Sequence, residues 1–215
     1  MRATTPSLVG RPRIDDLACG VLPGAVEMTP GPTDTRERVL IALSRWRIQL
    51  GFCFAIPALY FARPTPASFA AFLPLVLAGA ALRTWARGHL DRAERVCMGG
   101  PYGSVRHPLY VGSLLMGLGV TLMALPWIFA PLFILTFTVM YWPKAIREEA
   151  YLTQRFGDAY AAYAAAVPAI WPRFGRAAVN AAPSRFQWRR VRRHREWHTW
   201  IGVAAVLVYV WLRMA

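Results

Sequence analysis

The stretch from Pro108 to Trp142 constrains the fold of this chain most, because it holds two long apolar segments with one clear break, at Pro126. At about 1.5 Å per helical residue, each segment is just long enough to cross the core of a bilayer. So tight a break predicts a helical hairpin that turns within the far leaflet. The start of the first helix and the end of the second are therefore expected to be neighbours in space.

The rest of the chain also contains long apolar segments, which predict an all-α fold. Expected membrane spans are 46–62, 67–82, 108–125, 127–142 and 198–212, with a kink at Pro74 in the second. Residues 150–166 have helix-favouring composition with interleaved tyrosines and charges, and Val167-Pro168 should end that helix at the membrane interface. We predict a polytopic membrane helix bundle of about five transmembrane helices, with a tight helical hairpin and an interfacial helix.

Composition divides the chain into three parts. Residues 1–35 are rich in proline and glycine without apolar periodicity, which predicts a disordered N-terminal tail. Residues 36–176 form the expected membrane core. Residues 177–215 form a basic segment followed by the C-terminal transmembrane helix.

The basic charge favours a membrane over nucleic acid. The formal net charge is +14 and 56% of residues are hydrophobic, but no groove-reading or stacking motif accompanies the arginines. In the five-helix arrangement all Lys and Arg residues except Arg63 and Arg213 lie on one side. The positive-inside rule makes that side cytoplasmic. We expect an integral protein of a bacterial inner membrane with its site on that side. The run 185–195 is interpreted as an anchor to anionic lipid head groups, with nucleic acid as the weaker alternative.

The cysteines do not indicate a metal or disulfide site. Cys19, Cys53 and Cys97 are widely separated, and one of them lies within a predicted span. Neither a disulfide framework nor a zinc site has this spacing. We expect free thiols and no metal.

The segment 99–112, GGPYGSVRHPLYVG, is the first candidate wall of a functional site. Pro108 suits the first turn of a helix and disfavours a helical conformation at His107. The unpaired N–H groups of that turn, with Arg106 and His107, predict a place for a carboxylate or phosphate at the membrane surface. The alternative is a basic turn that only caps a membrane helix.

Glu148 and Glu149 form the second candidate wall. Adjacent carboxylates just beyond an apolar span are costly unless they are paired or functional. The hairpin should bring Arg106 and His107 towards them; pairing with Lys144 or Arg147 is the structural alternative. After the predicted span that ends near residue 82, Arg83 and Arg87 follow on one helical face. We interpret them as arginines that snorkel to the membrane surface, in preference to direct contacts with a ligand.

Several motifs follow one another in a definite order: LRTWARGHL, GPYGSVRHPLYVG, the hairpin, and REEAYLTQRFGDAYAAYAAAVPAIWP. Over residues 82–172 they resemble the isoprenylcysteine carboxyl methyltransferase and phospholipid methyltransferase family of integral membrane enzymes. Members of that family use S-adenosylmethionine from the cytosol and receive an apolar substrate through the membrane. The resemblance therefore implies a methyltransferase with this cofactor.

The resemblance also implies which residues form the site. Carried over position by position, the cofactor-binding residues are Tyr102, His107, Pro108, Tyr110, Gly112, Glu148 and Glu149, to which Arg106 is added for its charge. Tyr160, Tyr163 and Pro168 match the closing part of the pattern, for which a structural role is expected.

The chemistry of S-adenosylmethionine suits such a site. Cationic groups complement its carboxylate, while carboxylates complement its ammonium, sulfonium and ribose hydroxyls. Methyl transfer is a direct displacement, so alignment and exclusion of water matter most. The expected acceptor is a carboxylate, amine or thiol of a lipid or isoprenoid-like molecule; for an amine, Glu149 or His107 could take the proton.

Two other functions fit the same pattern less well. A membrane reductase of the sterol-reductase type resembles this fold and has a tyrosine-rich segment ending in Val-Pro, but its nicotinamide dinucleotide requires a larger cationic pocket. A non-enzymatic membrane scaffold would use the same residues only to anchor helices. Binding of S-adenosylmethionine or of NADPH discriminates among the three.

Overall fold

The computed structural model describes residues 57–58, 60–90, 96–172 and 185–214, and these are helical with no strand among them. The helices are α1 (Pro66–His89), α2 (Pro108–Ala124), α3 (Phe129–Phe156), α4 (Asp158–Ala166), α5 (Trp188–Arg193) and α6 (Trp197–Leu212), with a short 3-10 helix at Gly100–Gly103. The all-α prediction is confirmed for this part of the chain. The predicted tail 1–35 and most of the predicted span 46–62 lie outside the described residues.

Helix α1 begins at a capping box. The amide of Ser68 donates to Thr65 Oγ1 at 3.1 Å, and the amide of Thr65 donates to Ser68 Oγ at 3.0 Å, while Pro66 occupies the first turn. These contacts satisfy donors that a helix start leaves unpaired. The helix contains Pro74 and continues past the predicted span end at residue 82 to His89.

The helical hairpin has the predicted form. Helix α2 begins at Pro108 and ends at Ala124, and α3 begins at Phe129. The amide of Phe129 donates to the carbonyl of Pro126 at 3.0 Å, which closes the turn between them. The N-terminal end of α2 and the C-terminal end of α3 therefore lie at the same end of the bundle.

Beyond the hairpin, two predicted helix boundaries are wrong. Helix α3 does not end at residue 142 but continues to Phe156, so residues 150–156 belong to it and not to a separate interfacial helix. Gly157, at φ 52°, then breaks the chain before α4. A helix-favouring composition fits either arrangement, whereas a positive φ is readily adopted only by glycine. The predicted end at Val167 is confirmed, since this residue caps α4.

Helices α1 and α2 cross at very short range. A Cβ atom on Gly79 would lie 2.6 Å from the carbonyl oxygen of Gly112, and one on Gly112 would lie 2.7 Å from that of Gly79. Such distances leave no room for a side chain at either position. Close backbone contact through small residues is typical of helix pairs in membranes.

The apolar surface indicates a membrane protein. Among the described residues, α1 and α3 are long and apolar enough to cross a bilayer, while α2 and α6 are apolar but shorter. Large side chains on α3 point outward, including Leu132, Ile134 and Leu135. Contact of these apolar side chains with lipid carries no free-energy cost, whereas their exposure to water would be unfavourable.

The C-terminal segment packs on α1 and α2. Val210 of α6 is fully buried with Ala62, Val76 and Met123 at the end of the bundle away from Pro108. At the other end, the amide of Gln187 donates to the carbonyl of Gly88 at 2.9 Å. The basic run therefore contacts the end of α1 in addition to offering exposed arginines such as Arg189 and Arg192.

Candidate cofactor site

The loop before α2 is hydrogen-bonded to α4 and to the chain that follows it. The amide of Arg106 donates to the carbonyl of Pro168 at 2.8 Å, and that of His107 to the carbonyl of Ala169 at 3.1 Å. Tyr163 Oη donates to the carbonyl of Tyr102 at 2.8 Å. Residues 102, 106 and 107 of the motif 99–112 are thus fixed by the closing segment of the pattern, which has the structural role expected of it.

These contacts correct one expectation. The first turn of α2 does not offer a set of free N–H groups, because the amides of Arg106 and His107 are used by the closing segment and those of Tyr110 and Val111 donate to the carbonyl of His107. Pro108 has no N–H to give. These amides are therefore not available to an anion at this place, which would have to be bound mainly by side chains.

The two glutamates meet the α2 end of the bundle as the hairpin predicts. Glu149 Oε1 lies 2.9 Å from His107 Nε2 and 3.0 Å from Arg106 Nη1. Tyr110 Oη donates to Glu148 Oε2 at 2.7 Å. The ion pairs of Glu149 are thus with the loop before α2, and the predicted convergence of the two motifs is confirmed.

Neighbouring aromatic rings fix the side chains that contact the two glutamates. The rings of His107 and Tyr110 stack with centroids 5.2 Å apart, and Tyr110 packs edge-on against Tyr141. Lys144 Nζ lies 5.4 Å from the centre of the Tyr110 ring, as a cation above an aromatic face. Stacking and hydrogen bonding together leave Tyr110 little freedom to turn away from Glu148.

Three buried polar atoms beside this centre make no well-formed hydrogen bond within the described part of the chain: Tyr102 Oη, Tyr160 Oη and Arg106 Nε, of which the Tyr160 hydroxyl lies beside Arg106. Buried polar atoms are nearly always hydrogen-bonded, so an unpaired set marks a place for a ligand or water. Burial, with the charge of Glu149 nearby, raises the pKa of Tyr160 to about 12. Burial likewise raises the pKa of Tyr102 and of Tyr163, so all three hydroxyls keep their protons at neutral pH.

The remaining predicted residues have structural positions. Gly112 lies at the crossing with Gly79, on a different face of α2 from Tyr110, and the structure does not bring it to the carboxylates. Pro108 is buried at the start of α2. These two shape the backbone around the site.

Arg83 and Arg87 pair with a residue that sequence reasoning missed. Arg83 Nε lies 2.9 Å from Glu196 Oε1 and Arg87 Nε lies 3.2 Å from Glu196 Oε2. Their interpretation as snorkelling side chains is therefore wrong, because both guanidinium groups face a buried carboxylate. The only available signal was the isolated acidic residue that ends a run of arginines.

Together, the long apolar helices and the polar centre at their ends define a helical membrane protein with a carboxylate-bearing site. Residues 69–159 match the family described as phospholipid methyltransferase, which confirms the resemblance drawn from the motifs. This matched segment contains the site residues Tyr102 to Gly112 and both glutamates, and over it the chain is similar to that family of membrane methyltransferases.

A curated relative supports the same resemblance. The chain is 37% identical over 73 residues to the protein-S-isoprenylcysteine O-methyltransferase of Schizosaccharomyces pombe. The alignment covers 34% of this chain and 31% of the relative, so the chain spans about a third of the protein it matches. No solved structure matches the chain significantly.

Proposed function

We propose that this protein transfers a methyl group from S-adenosylmethionine to a lipophilic acceptor in the membrane. The observation that carries the proposal is the pair Glu148 and Glu149 at the end of α3, held against Arg106, His107 and Tyr110 at the start of α2. Opposite charges in one partly buried place suit a ligand that is itself zwitterionic.

The charges at the two glutamates are not equivalent. Glu149 is paired with the Arg106 guanidinium and contacts His107, while Glu148 accepts its one hydrogen bond within the described residues from the neutral Tyr110. Glu148 is thus the side chain with negative charge left to meet an ammonium or sulfonium group. Arg106 is the side chain suited to the cofactor carboxylate.

The unpaired hydroxyls support the fit. Tyr102 and Tyr160 each have a buried hydroxyl without a partner in the described chain, and both are protonated at neutral pH. They can donate to ribose or carboxylate oxygens. The residues present therefore match the donor and acceptor groups of S-adenosylmethionine.

The chain's own residues have limited chemistry to perform. The bound cofactor supplies a methyl group already activated by the sulfonium. Glu149 orients His107, and either can take a proton when the acceptor is an amine or thiol; a carboxylate acceptor needs no base. The tyrosines and the closing segment 167–169 keep water from the polar centre.

The acceptor is expected to reach the site from the lipid. The end of α3 that bears the glutamates continues directly from a helix with outward-facing leucines and isoleucines. We propose that the site lies on the cytoplasmic side of a bacterial inner membrane, which the arginines at this end, among them Arg83, Arg87 and Arg106, support under the positive-inside rule.

A comparison of lipid extracts tests the proposed function. Cells that produce the protein should contain a lipid that is heavier by one CH₂ group than its counterpart in cells without it. The Glu148→Gln variant, produced at the same level, should lose that product. An unchanged lipid profile with active cofactor turnover would point to a non-lipid acceptor, and an unchanged profile without turnover would contradict the proposal.

A further inference from the structure

Glu196 is a buried carboxylate on the C-terminal segment. Its side chain is 2% exposed, and it is the only acidic residue between residues 185 and 215. Burying an ionised carboxylate is costly unless the group is paired and hydrogen-bonded. The position of Glu196 therefore depends on the partners that it meets.

Both partners are guanidinium groups on the last two turns of α1. Glu196 takes Arg83 Nε on one oxygen and Arg87 Nε on the other, at 2.9 and 3.2 Å. Each arginine is held at the nitrogen nearest its aliphatic stem. The carboxylate thereby fixes the direction in which the far end of each guanidinium points.

The far end of Arg83 points at α2. Its Nη1 donates to Ser113 Oγ and approaches the carbonyl of Leu109 at 3.5 Å. Ser113 Oγ in turn donates to the carbonyl of Leu109 at 2.9 Å. A continuous polar chain thus runs from the C-terminal segment through α1 to the first two turns of α2.

Those turns also carry the proposed site on another face. Tyr110 follows Leu109 directly, and His107 caps the same helix end. A shift of this end would move the groups that contact Glu148 and Glu149. Shifts on the ångström scale matter in such sites, because misaligned groups steeply lower the binding affinity and the reaction rate.

Other contacts keep the C-terminal segment along α1. Trp200 Nε1 donates to Thr84 Oγ1 at 2.9 Å, and Arg190 Nη1 approaches the carbonyl of His89 at 3.5 Å. Glu196 lies between these two contacts in the sequence. The segment therefore brings its carboxylate to α1 as part of a fixed surface.

We propose that Glu196 is a positioning residue for the site: through Arg83 it sets the place of the first turns of α2, and hence of His107 and Tyr110, relative to the two glutamates. The effect on cofactor binding rests on the proposed function. Glu196 lies outside the segment 69–159 that matches the family. The C-terminal segment thus supports a site whose binding groups all lie elsewhere in the chain.

Hydrogen exchange of the full-length, cofactor-free protein tests the positioning step. In Glu196→Gln, amides of residues 109–113 should exchange several-fold faster than in the wild type, while those of 129–142 stay unchanged. Glu196→Asp should restore part of the protection, and Asp158→Asn, which removes an exposed carboxylate, should change nothing there. If Glu196→Gln does not fold, Ser113→Ala tests the last contact of the chain by the same measurement. Equal exchange at 109–113, or equal acceleration throughout, would overturn the proposal.

Calorimetry with S-adenosylmethionine tests the link to the site. At a temperature where every variant is folded, Glu196→Gln should bind about tenfold more weakly, and Glu196→Asp should recover part of the loss. Wild-type affinity in Glu196→Gln would overturn the link. If the wild type itself does not bind, the proposed function fails, and the exchange experiment alone decides whether Glu196 positions α2.

Discussion

Replacing Glu148 and Glu149 one at a time should separate binding from stability. Glu148→Gln keeps the shape of the side chain and an acceptor for Tyr110, whose hydroxyl now lies 2.7 Å from Glu148 Oε2, but removes the charge. Glu149→Gln removes the negative charge of the group that Arg106 and His107 share, since both lie within 3.0 Å of one Glu149 oxygen. The two variants therefore test different parts of the same polar centre.

The expected magnitudes follow from these contacts. A hydrogen bond to a charged group contributes about 1.5–3 kcal/mol, so Glu148→Gln should weaken S-adenosylmethionine binding about 10- to 100-fold while leaving the melting temperature close to that of the wild type. Glu149→Gln should weaken binding too, and it should also lower the free energy of unfolding by about 1–3 kcal/mol, because Arg106 loses its counter-charge and the contact with His107 Nε2 weakens.

Calorimetry and thermal melting of the purified variants measure both effects. Asp158→Asn, at an exposed carboxylate, is the matched control and should change neither quantity appreciably. Wild-type affinity in Glu148→Gln would refute the reasoning that this side chain meets the cationic part of the cofactor. Wild-type stability in Glu149→Gln would refute the view that it organises Arg106 and His107.

Three further predictions concern the fold, its pH dependence and its orientation. Gly79→Ala should lower stability by about 1–3 kcal/mol, because its Cβ would lie 2.6 Å from the Gly112 carbonyl oxygen, whereas Gly202→Ala, in open space, should not; melting curves compare them. Since the folded protein raises the pKa of Tyr160 from 10.0 to about 12, the stability from this group is present below pH 10 and is lost as the pH rises towards 12. Tyr160→Phe should therefore flatten the fall of melting temperature in that window, and an unchanged slope would contradict this. A reporter fused after Met98 should be active only as a cytoplasmic reporter, and activity of a periplasmic reporter would reverse the orientation.

Local sequence signals predicted the features that depend on near neighbours along the chain. Pro108 marked a helix start because its ring and missing N–H suit the first turn, and Pro126 marked the hairpin between two apolar runs. The hairpin alone was enough to bring His107 to Glu149, which lie far apart in sequence. Proximity of the two motifs thus followed from topology without knowledge of side-chain contacts.

Features that depend on distant contacts could not be predicted. The backbone amides of Arg106 and His107 are taken by carbonyls at 168 and 169, and no local pattern shows that these will be available. Arg83 and Arg87 looked like interfacial arginines until Glu196, more than a hundred residues later, was placed between them. The continuation of α3 to Phe156 was hidden because Pro143, which lies inside the helix, favours a break after Trp142, while the composition of residues 150–156 favours a helix whether or not it is joined to the span.

The measurement that tests the proposed function most directly is calorimetric titration of the purified, folded protein with S-adenosylmethionine and, in parallel, with NADPH. We predict saturable binding of S-adenosylmethionine that is weakened about 10- to 100-fold on replacing Glu148 or His107, and no binding of NADPH. Binding of NADPH alone would favour the reductase. Binding of neither by a folded protein would contradict a cofactor site and leave the residues at 102–112 and 148–149 with a role in holding the helices together.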